Sequence, residues 1–334
     1  MSENVNTSGN FSNKRVLITG GLGFIGSNMA RRLADYGAQV TLVDSLIPEY
    51  GGSLFNIDGL ENRVRVNIAD VRDRHSMAYL VQGQDYLFNL AGQTSHMDSM
   101  EDPYTDLEIN CLAQLSILEA CREHNPGIKV VFASTRQMYG KPDYLPVDEN
   151  HLLRPVDVNG INKMAGEWYH ILYNHVYGIR ATALRLTNTY GPRMRIKDAR
   201  QTFLGVWIRL IAQGQPFEVW EGQQLRDFTF VDDAVDALIL AAASDRANGQ
   251  VFNLGGERAI TLKELADLLV EVNGGEGRYE VRSFPANRQR IDIGDYYADF
   301  TSISETLGWQ PRVHLREGLA LTLKFFRQEL QNYL

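Results

Sequence analysis

The stretch from Arg15 to Asp44 leaves a chain of this kind few folds to choose from. Arg15-Val16-Leu17-Ile18-Thr19 is a short apolar run, as expected of a strand buried in a parallel sheet. It passes directly into Gly20-Gly21-Leu22-Gly23-Phe24-Ile25-Gly26, which opens a helical stretch to Tyr36. A second apolar run, Gln39 to Val43, then closes on Asp44. Gly21, Gly23 and Gly26 fit G-x-G-x-x-G, and Gly20, Gly23 and Gly26 fit G-x-x-G-x-x-G. Glycines so spaced make a tight turn and let the backbone lie against a pyrophosphate. The helix N-terminus offers unpaired N–H groups and a positive dipole end. A glycine triplet alone is a weak signal, since strand–turn–helix units often contain one. Here a strand precedes it, a helix follows, and an acid ends the second strand about 20 residues on, the spacing of the dinucleotide fingerprint. Asp44 would accept hydrogen bonds from ribose hydroxyls and repel a 2′-phosphate, so NAD is expected rather than NADP.

The rest of the chain fits an α/β protein. Its 334 residues are 44% hydrophobic, enough for one large α/β unit or two domains. A formal net charge of −8 without a long basic run argues against nucleic acid as the main partner. Cys111 and Cys121 share one apolar helical run and read as core residues in a reducing compartment, not as a metal or disulfide framework. Residues 1–13 are polar and read as a disordered tail with no signal peptide. No apolar run approaches the ~18 residues of a membrane span, so a cytoplasmic protein is expected.

Taken in order, the chain predicts a strand at Val64–Ile68 running into Ala69-Asp70-Val71 and another from Asp85 to Leu90, ending Asn89-Leu90-Ala91-Gly92. A helix follows over Tyr104–His124, a strand over Ile128–Ala133, a helix over Val158–Tyr177 and a strand over Arg180–Leu186. Carboxyl ends of parallel strands face the ligand crevice. Asp70 could therefore meet the adenine amine, or cap the helix that starts near Asp73. Asn110, inside a helix, holds either an active-site strand or a solvated face. Ser45–Gly59 is a flap or plain connection. The expected architecture is a Rossmann-type doubly wound parallel sheet over residues 14–187. A smaller α/β substrate-binding domain follows over 188–334, with some segments returning to the sheet.

Together these residues resemble the extended short-chain dehydrogenase/reductase family, in its nucleotide-sugar epimerase/dehydratase branch, from Lys14 to about Pro311. The marks are Thr19 to Gly26, Asp70-Val71, Asn89 to Gly92, Ser134-Thr135 with Met138-Tyr139-Gly140, Asn162-Lys163 with Gly166-Glu167, Asn188 to Arg193, and Arg226-Asp227-Phe228. The resemblance implies that NAD is held by Gly20, Gly23, Phe24, Ile25, Gly26, Asp44, Asp70, Val71, Leu90, Ala91, Gly92, Asn110 and Lys163. It implies that Thr135 hydrogen-bonds the reacting sugar hydroxyl, and that Lys163 binds the nicotinamide ribose and lowers the pKa of a neighbouring base. For the sugar nucleotide it implies Thr94, Arg136, Asn188, Arg226, the strand Phe217-Glu218-Val219 around the base, and Arg288 or Arg290. In similar proteins the helices 104–124 and 158–177 pair across a twofold axis, which implies a homodimer.

Two departures matter. The family base is a Tyr four residues before the Lys, and here that position is Asn159, which has no accessible pKa. Tyr139, His96 or a water held by Asn159 and Thr135 could handle the proton. The substrate could arrive as a ketone, the protein could bind without turnover, or Asn159 could be an engineered trap. His96 reads most simply as a polar loop residue. Secondly, the dehydratases carry Asp-Glu after the catalytic Thr, and the decarboxylases a Glu at the second place. Arg136-Gln137 has no carboxylate. The expectation is therefore an NAD-dependent epimerase acting at C4 of a nucleotide sugar through a keto intermediate, UDP-hexose being the commonest case. The alternatives are a dehydratase, decarboxylase or ketoreductase with an altered base, and a silent nucleotide-sugar binder.

Overall fold

The computed structural model describes residues 7–200, 202–285 and 291–334. Seven parallel strands form the central sheet: β1 Arg15–Thr19, β2 Gln39–Asp44, β3 Val64–Ile68, β4 Tyr86–Asn89, β5 Lys129–Thr135, β6 Arg180–Leu186 and a late strand Val251–Asn253, in spatial order β3-β2-β1-β4-β5-β6 and then Val251–Asn253. Alternation along β1 explains the two covering layers. Val16 and Ile18 face one apolar cluster, while Leu17 faces the other with Ile117, Leu118 and Tyr173. β1 pairs with β2 on one side and β4 on the other, so the order in which strands are added reverses between β1 and β4. The crevice at that reversal is where doubly wound sheets hold ligands.

Two expectations need correction. Residues 7–13 are not a loose tail, because a short helix, Thr7–Phe11, precedes β1 and Phe11 is fully buried against Tyr86 and Phe88 at ring-centroid distances of 4.8 and 6.5 Å. One aromatic among polar neighbours is enough to anchor it. Nor is 104–124 a uniform α-helix. Helix Pro103–Leu107 opens into a wider π turn at Glu108–Leu112 before Ala113–His124 resumes. Such bulges insert a residue and re-aim side chains, and Asn110 sits inside this one, fully buried rather than on a solvated face.

Beyond residue 187 the elements are short: Asn188–Tyr190 pairs with Phe228–Phe230, Leu225–Arg226 with Ile260–Thr261, and Phe217–Trp220 with Tyr279–Arg282. This part grips the carboxyl-edge loops of the sheet. Arg195 Nη1 donates to Pro48 O (2.8 Å), Arg200 Nε meets Asp98 Oδ2 (2.7 Å), and Arg193 Nη1 donates to Asn28 Oδ1 (2.9 Å). No helix among the described residues is long and apolar enough to cross a membrane.

Candidate active site

One cleft gathers Gly20, Gly23, Phe24, Ile25, Gly26, Asp44, Asp70, Val71, Leu90, Ala91, Gly92 and Thr94. The helix Phe24–Asp35 starts there with Gly23 as its N-cap and no side chain closing it, so its first N–H groups are open to an anion. Gly20 has φ +66°, and a Cβ on Gly26 would lie 2.2 Å from Gly20 O. Asp44 is fixed by the N–H groups of Leu22 (3.0 Å) and Leu46 (2.9 Å). Burial raises its carboxyl pKa against those two bonds. Asp70 takes a bidentate grip from Arg72 that holds its carboxyl below the usual range. The helix cap is Asp73, which accepts from His75 N, so the capping alternative for Asp70 falls. Ser45, Ile47, Tyr50 and Gly52 also line the cleft. The available signal for them was position: that loop leaves the carboxyl end of β2.

At the inner end of the cleft, Lys163 is buried with Nζ donating to Ala133 O (3.1 Å) and lying 5.0 Å over the Phe132 ring. Burial pulls its pKa down to about 8, against the attraction of Asp106. A Cβ on Gly92 would sit 2.8 Å from Lys163 Nζ and 2.9 Å from Asn110 Oδ1, so a side chain there would push both groups aside. Asn110 Oδ1 is buried without a partner. Its amide nitrogen donates to Gln93 O and Asp106 Oδ2. Asn159 joins the same network: its amide donates to Gln93 O (2.8 Å) and Asp106 Oδ2 (3.0 Å), and Asn162 donates to Asp106 Oδ1 (2.8 Å). Three asparagine amides therefore satisfy one buried carboxylate.

The substrate-side candidates meet above β5. Thr135 Oγ1 accepts from Gln137 N (3.2 Å). Arg136 Nη2 donates to Asn188 Oδ1 (3.1 Å), and its guanidinium lies 4.9 Å over the Tyr296 ring with Nη1 unpartnered. Arg226 is 7% exposed and its pKa falls to about 10, through burial first and then the neighbouring charge of Arg136. It donates to Leu225 O and Gly294 O and lies 3.5 Å from Asp292 Oδ1. Asp227, held up at about 6 by burial, is the counter-charge beneath. Paired arginines suit a phosphate or carboxylate. Phe217 and Val219 need correction as base contacts: both side chains are in the core, Phe217 against Trp207, because their strand packs inward. What this segment leaves to a ligand is its backbone and the exposed Glu218 side chain. Arg288 and Arg290 lie outside the described residues.

A model of the NAD dependent epimerase/dehydratase family matches residues 16–255. The chain belongs to that family. It is 31% identical to a putative UDP-glucose 4-epimerase of Methanocaldococcus jannaschii, over 93% of this chain and 98% of that one. It is 32% identical to a UDP-N-acetyl-alpha-D-glucosaminuronate decarboxylase of Bacillus cytotoxicus, over 96% and 99%. The fold matches the Thermotoga maritima UDP-glucose 4-epimerase solved with UDP-glucose at a TM-score of 0.86, with 30% identity over 95% and 99% of the two chains. The chain is thus placed among nucleotide-sugar epimerases, dehydratases and decarboxylases.

The family is NAD-dependent, and the cleft fits that cofactor: the uncapped helix start faces it, Asp44 closes β2, and the orphaned Asn110 Oδ1 faces the gap kept by Gly92. Among the described residues no three His, Cys, Asp or Glu side chains are placed to hold a metal ion. Tyr139 is removed as a proton acceptor. It is fully buried, its OH donates to Asn253 Oδ1 and accepts from Arg185 Nη1, and burial pushes its pKa to about 12. Gly26→Ala should weaken NAD binding by at least about tenfold in calorimetry, since the added methyl must push the turn off Gly20 O.

Proposed function

We propose that the protein is an NAD-dependent nucleotide-sugar epimerase acting at C4 of a UDP-hexose through a transient ketone. The observation that carries this is the convergence, at the carboxyl edge of one sheet, of the dinucleotide cleft, Lys163, Thr135 and the Arg136/Arg226 pair. Bound NAD would supply a hydride acceptor that later returns the hydride. Thr135 would hold the sugar hydroxyl, Lys163 the nicotinamide ribose, and Arg226 with Asn188 the diphosphate. Residues 136–137 offer no carboxylate for elimination at the sugar: Gln137 is buried and committed to Asp157. That favours epimerisation over dehydration. Incubation with UDP-glucose, UDP-galactose and their N-acetyl and uronate counterparts, followed by product analysis, should give interconversion with no net NADH and no mass change. Tight binding of NAD and sugar nucleotide without conversion of any of them would favour the silent binder that the committed Asn159 amide suggests.

The protein also works, in this reading, as a homodimer. The helix Val158–Tyr177 leaves Ile161, Trp168, Leu172 and Val176 exposed at 49–61%, and the neighbouring Leu107 and Leu112 are 44% exposed. Residues 161, 168, 172 and 176 fall at helical spacing on one stripe, a face better covered by a second copy than by water. Leu172→Lys with Trp168→Glu should convert a dimer to a monomer in light scattering, while the circular dichroism spectrum stays that of the parent.

A further inference from the structure

The amide of Asn159 is spent on Gln93 and Asp106, so a hydroxyl proton released at this site needs another acceptor. A histidine stands beside that position. His96 Nδ1 lies 3.0 Å from Asp157 Oδ2, a close but bent contact. Asp157 is a fixed anchor: it is buried, its Oδ1 accepts from Gly160 N (2.6 Å) at the start of the helix Val158–Tyr177, and its Oδ2 accepts from Gln137 Nε2 (2.8 Å). Burial opposes its charge, but these partners and His96 outweigh it and hold the carboxyl below its usual range. The imidazole is 39% exposed, and Nε2 makes no hydrogen bond within the described residues.

Hydrogen bonds tie the His96 backbone on one side, and the neighbouring Asp157 on the other, to the two positions that handle the proton in the resemblance. On one side, His96 O accepts from Ser99 Oγ (2.8 Å), and Ser99 Oγ accepts from the backbone N–H of Asn159 (3.2 Å). On the other, Gln137, which holds Asp157, gives its backbone N–H to Thr135 Oγ1. Thr94, two residues before His96, lines the cofactor cleft. A carboxylate 3.0 Å from Nδ1 favours the tautomer with its proton on Nδ1, which leaves the Nε2 lone pair free.

We propose that His96, oriented by Asp157, is the catalytic acid–base that stands in for the absent tyrosine. This rests on the nucleotide-sugar reading. The sugar O–H bond breaks and its proton passes to His96 Nε2. The carbon's C–H hydrogen leaves with its electron pair as hydride to the oxidised nicotinamide, and a ketone remains. Return of hydride to the opposite face and of the proton from Nε2 restores a hydroxyl of inverted configuration. Gln137 and Asp157 are positioning residues in this scheme.

The test uses the full-length protein with NAD. His96→Gln should lower kcat by ~10²–10⁴-fold with KM little changed, the usual range for a lost acid–base, while calorimetric binding of NAD and UDP stays at the parent value. Added imidazole should restore part of the rate of His96→Ala, which a merely structural role would not allow. Retention of more than about a third of kcat by His96→Gln, or a lowered rate that imidazole does not raise, overturns the assignment. If the wild type converts no nucleotide sugar, the functional reading fails on its own. Carbethoxylation by diethyl pyrocarbonate, read by peptide mass spectrometry, then decides the placement: protection of His96 by UDP-glucose with NAD, beyond NAD alone, keeps it at the sugar site, and equal labelling removes it.

Discussion

Lys163→Met is expected to silence turnover and to make the resting protein more stable. Lys163 is 5% exposed, and burial brings its pKa from 10.5 to about 8. Holding an ammonium there opposes folding, and the removal of a poorly solvated charge from a packed site is often stabilising. Asp106 keeps three amide donors after the substitution, so it is not left bare. A gain of about 1–2 kcal/mol at pH 7 is expected, with a rate loss of at least ~100-fold. The pH dependence has a definite sign. The folded pKa lies below the unfolded one, so between about pH 8 and 10.5 the unfolded chain binds more protons and stability rises with pH. Lys129, also lowered to about 8 by burial, contributes with the same sign. The variant should therefore keep only part of that rise. Thermal melts at pH 7 and pH 9 measure both quantities, and a lower melting temperature in the variant at pH 7 would refute this account of the lysine.

The largest stability effect is expected at Glu167. Its carboxylate takes Arg185 Nη2 at 2.6 Å and Ser134 Oγ at 2.7 Å, with both ion-pair side chains no more than 5% exposed. Arg185 Nη1 continues to the Tyr139 hydroxyl, and that hydroxyl to Asn253. The chain of bonds thus fastens the helix Val158–Tyr177 to β5, β6 and the late strand Val251–Asn253. Glu167→Gln leaves the guanidinium buried without its counter-charge, at a cost of ~3–5 kcal/mol. In a protein of this size that is about 4–7 °C in melting temperature. Following Glu167→Gln with Arg185→Met should recover much of the loss, because the cost lies in the stranded charge rather than in the missing attraction. No recovery in the double variant would contradict that explanation.

The parts of the fold legible in the sequence were those written locally. The β1 run, the glycine turn and Asp44 are contiguous, and their meaning depends on spacing alone. The helix Val158–Tyr177 was also legible, with the bounds the structure gives it. What escaped depends on partners far along the chain. Nothing around Glu108–Leu112 marks a π turn; within it Asn110 bonds Gln93, 17 residues away, and Asp106. Phe11 looks like part of a polar tail until Tyr86 and Phe88 are beside it. Phe217 and Val219 alternate as a half-buried strand would, but which face meets the core is a tertiary fact. At the site, Lys163 and Thr135 were singled out through the family resemblance, which the sequence carries residue by residue. The destination of the Asn159 amide was not, because Gln93 and Asp106 lie 66 and 53 residues away.

Arg195 reaches from the far side of the crevice to Pro48 O, and so buckles down the same segment whose Tyr50 and Gly52 wall the cleft beside Asp44. On the proposed reading, a coenzyme in that cleft would lie behind this clasp and would have to open it to leave. Dissociation should then be slow against turnover, which suits a reaction that hands each hydride back before the product leaves. The protein would carry one dinucleotide through many cycles and retain it through purification.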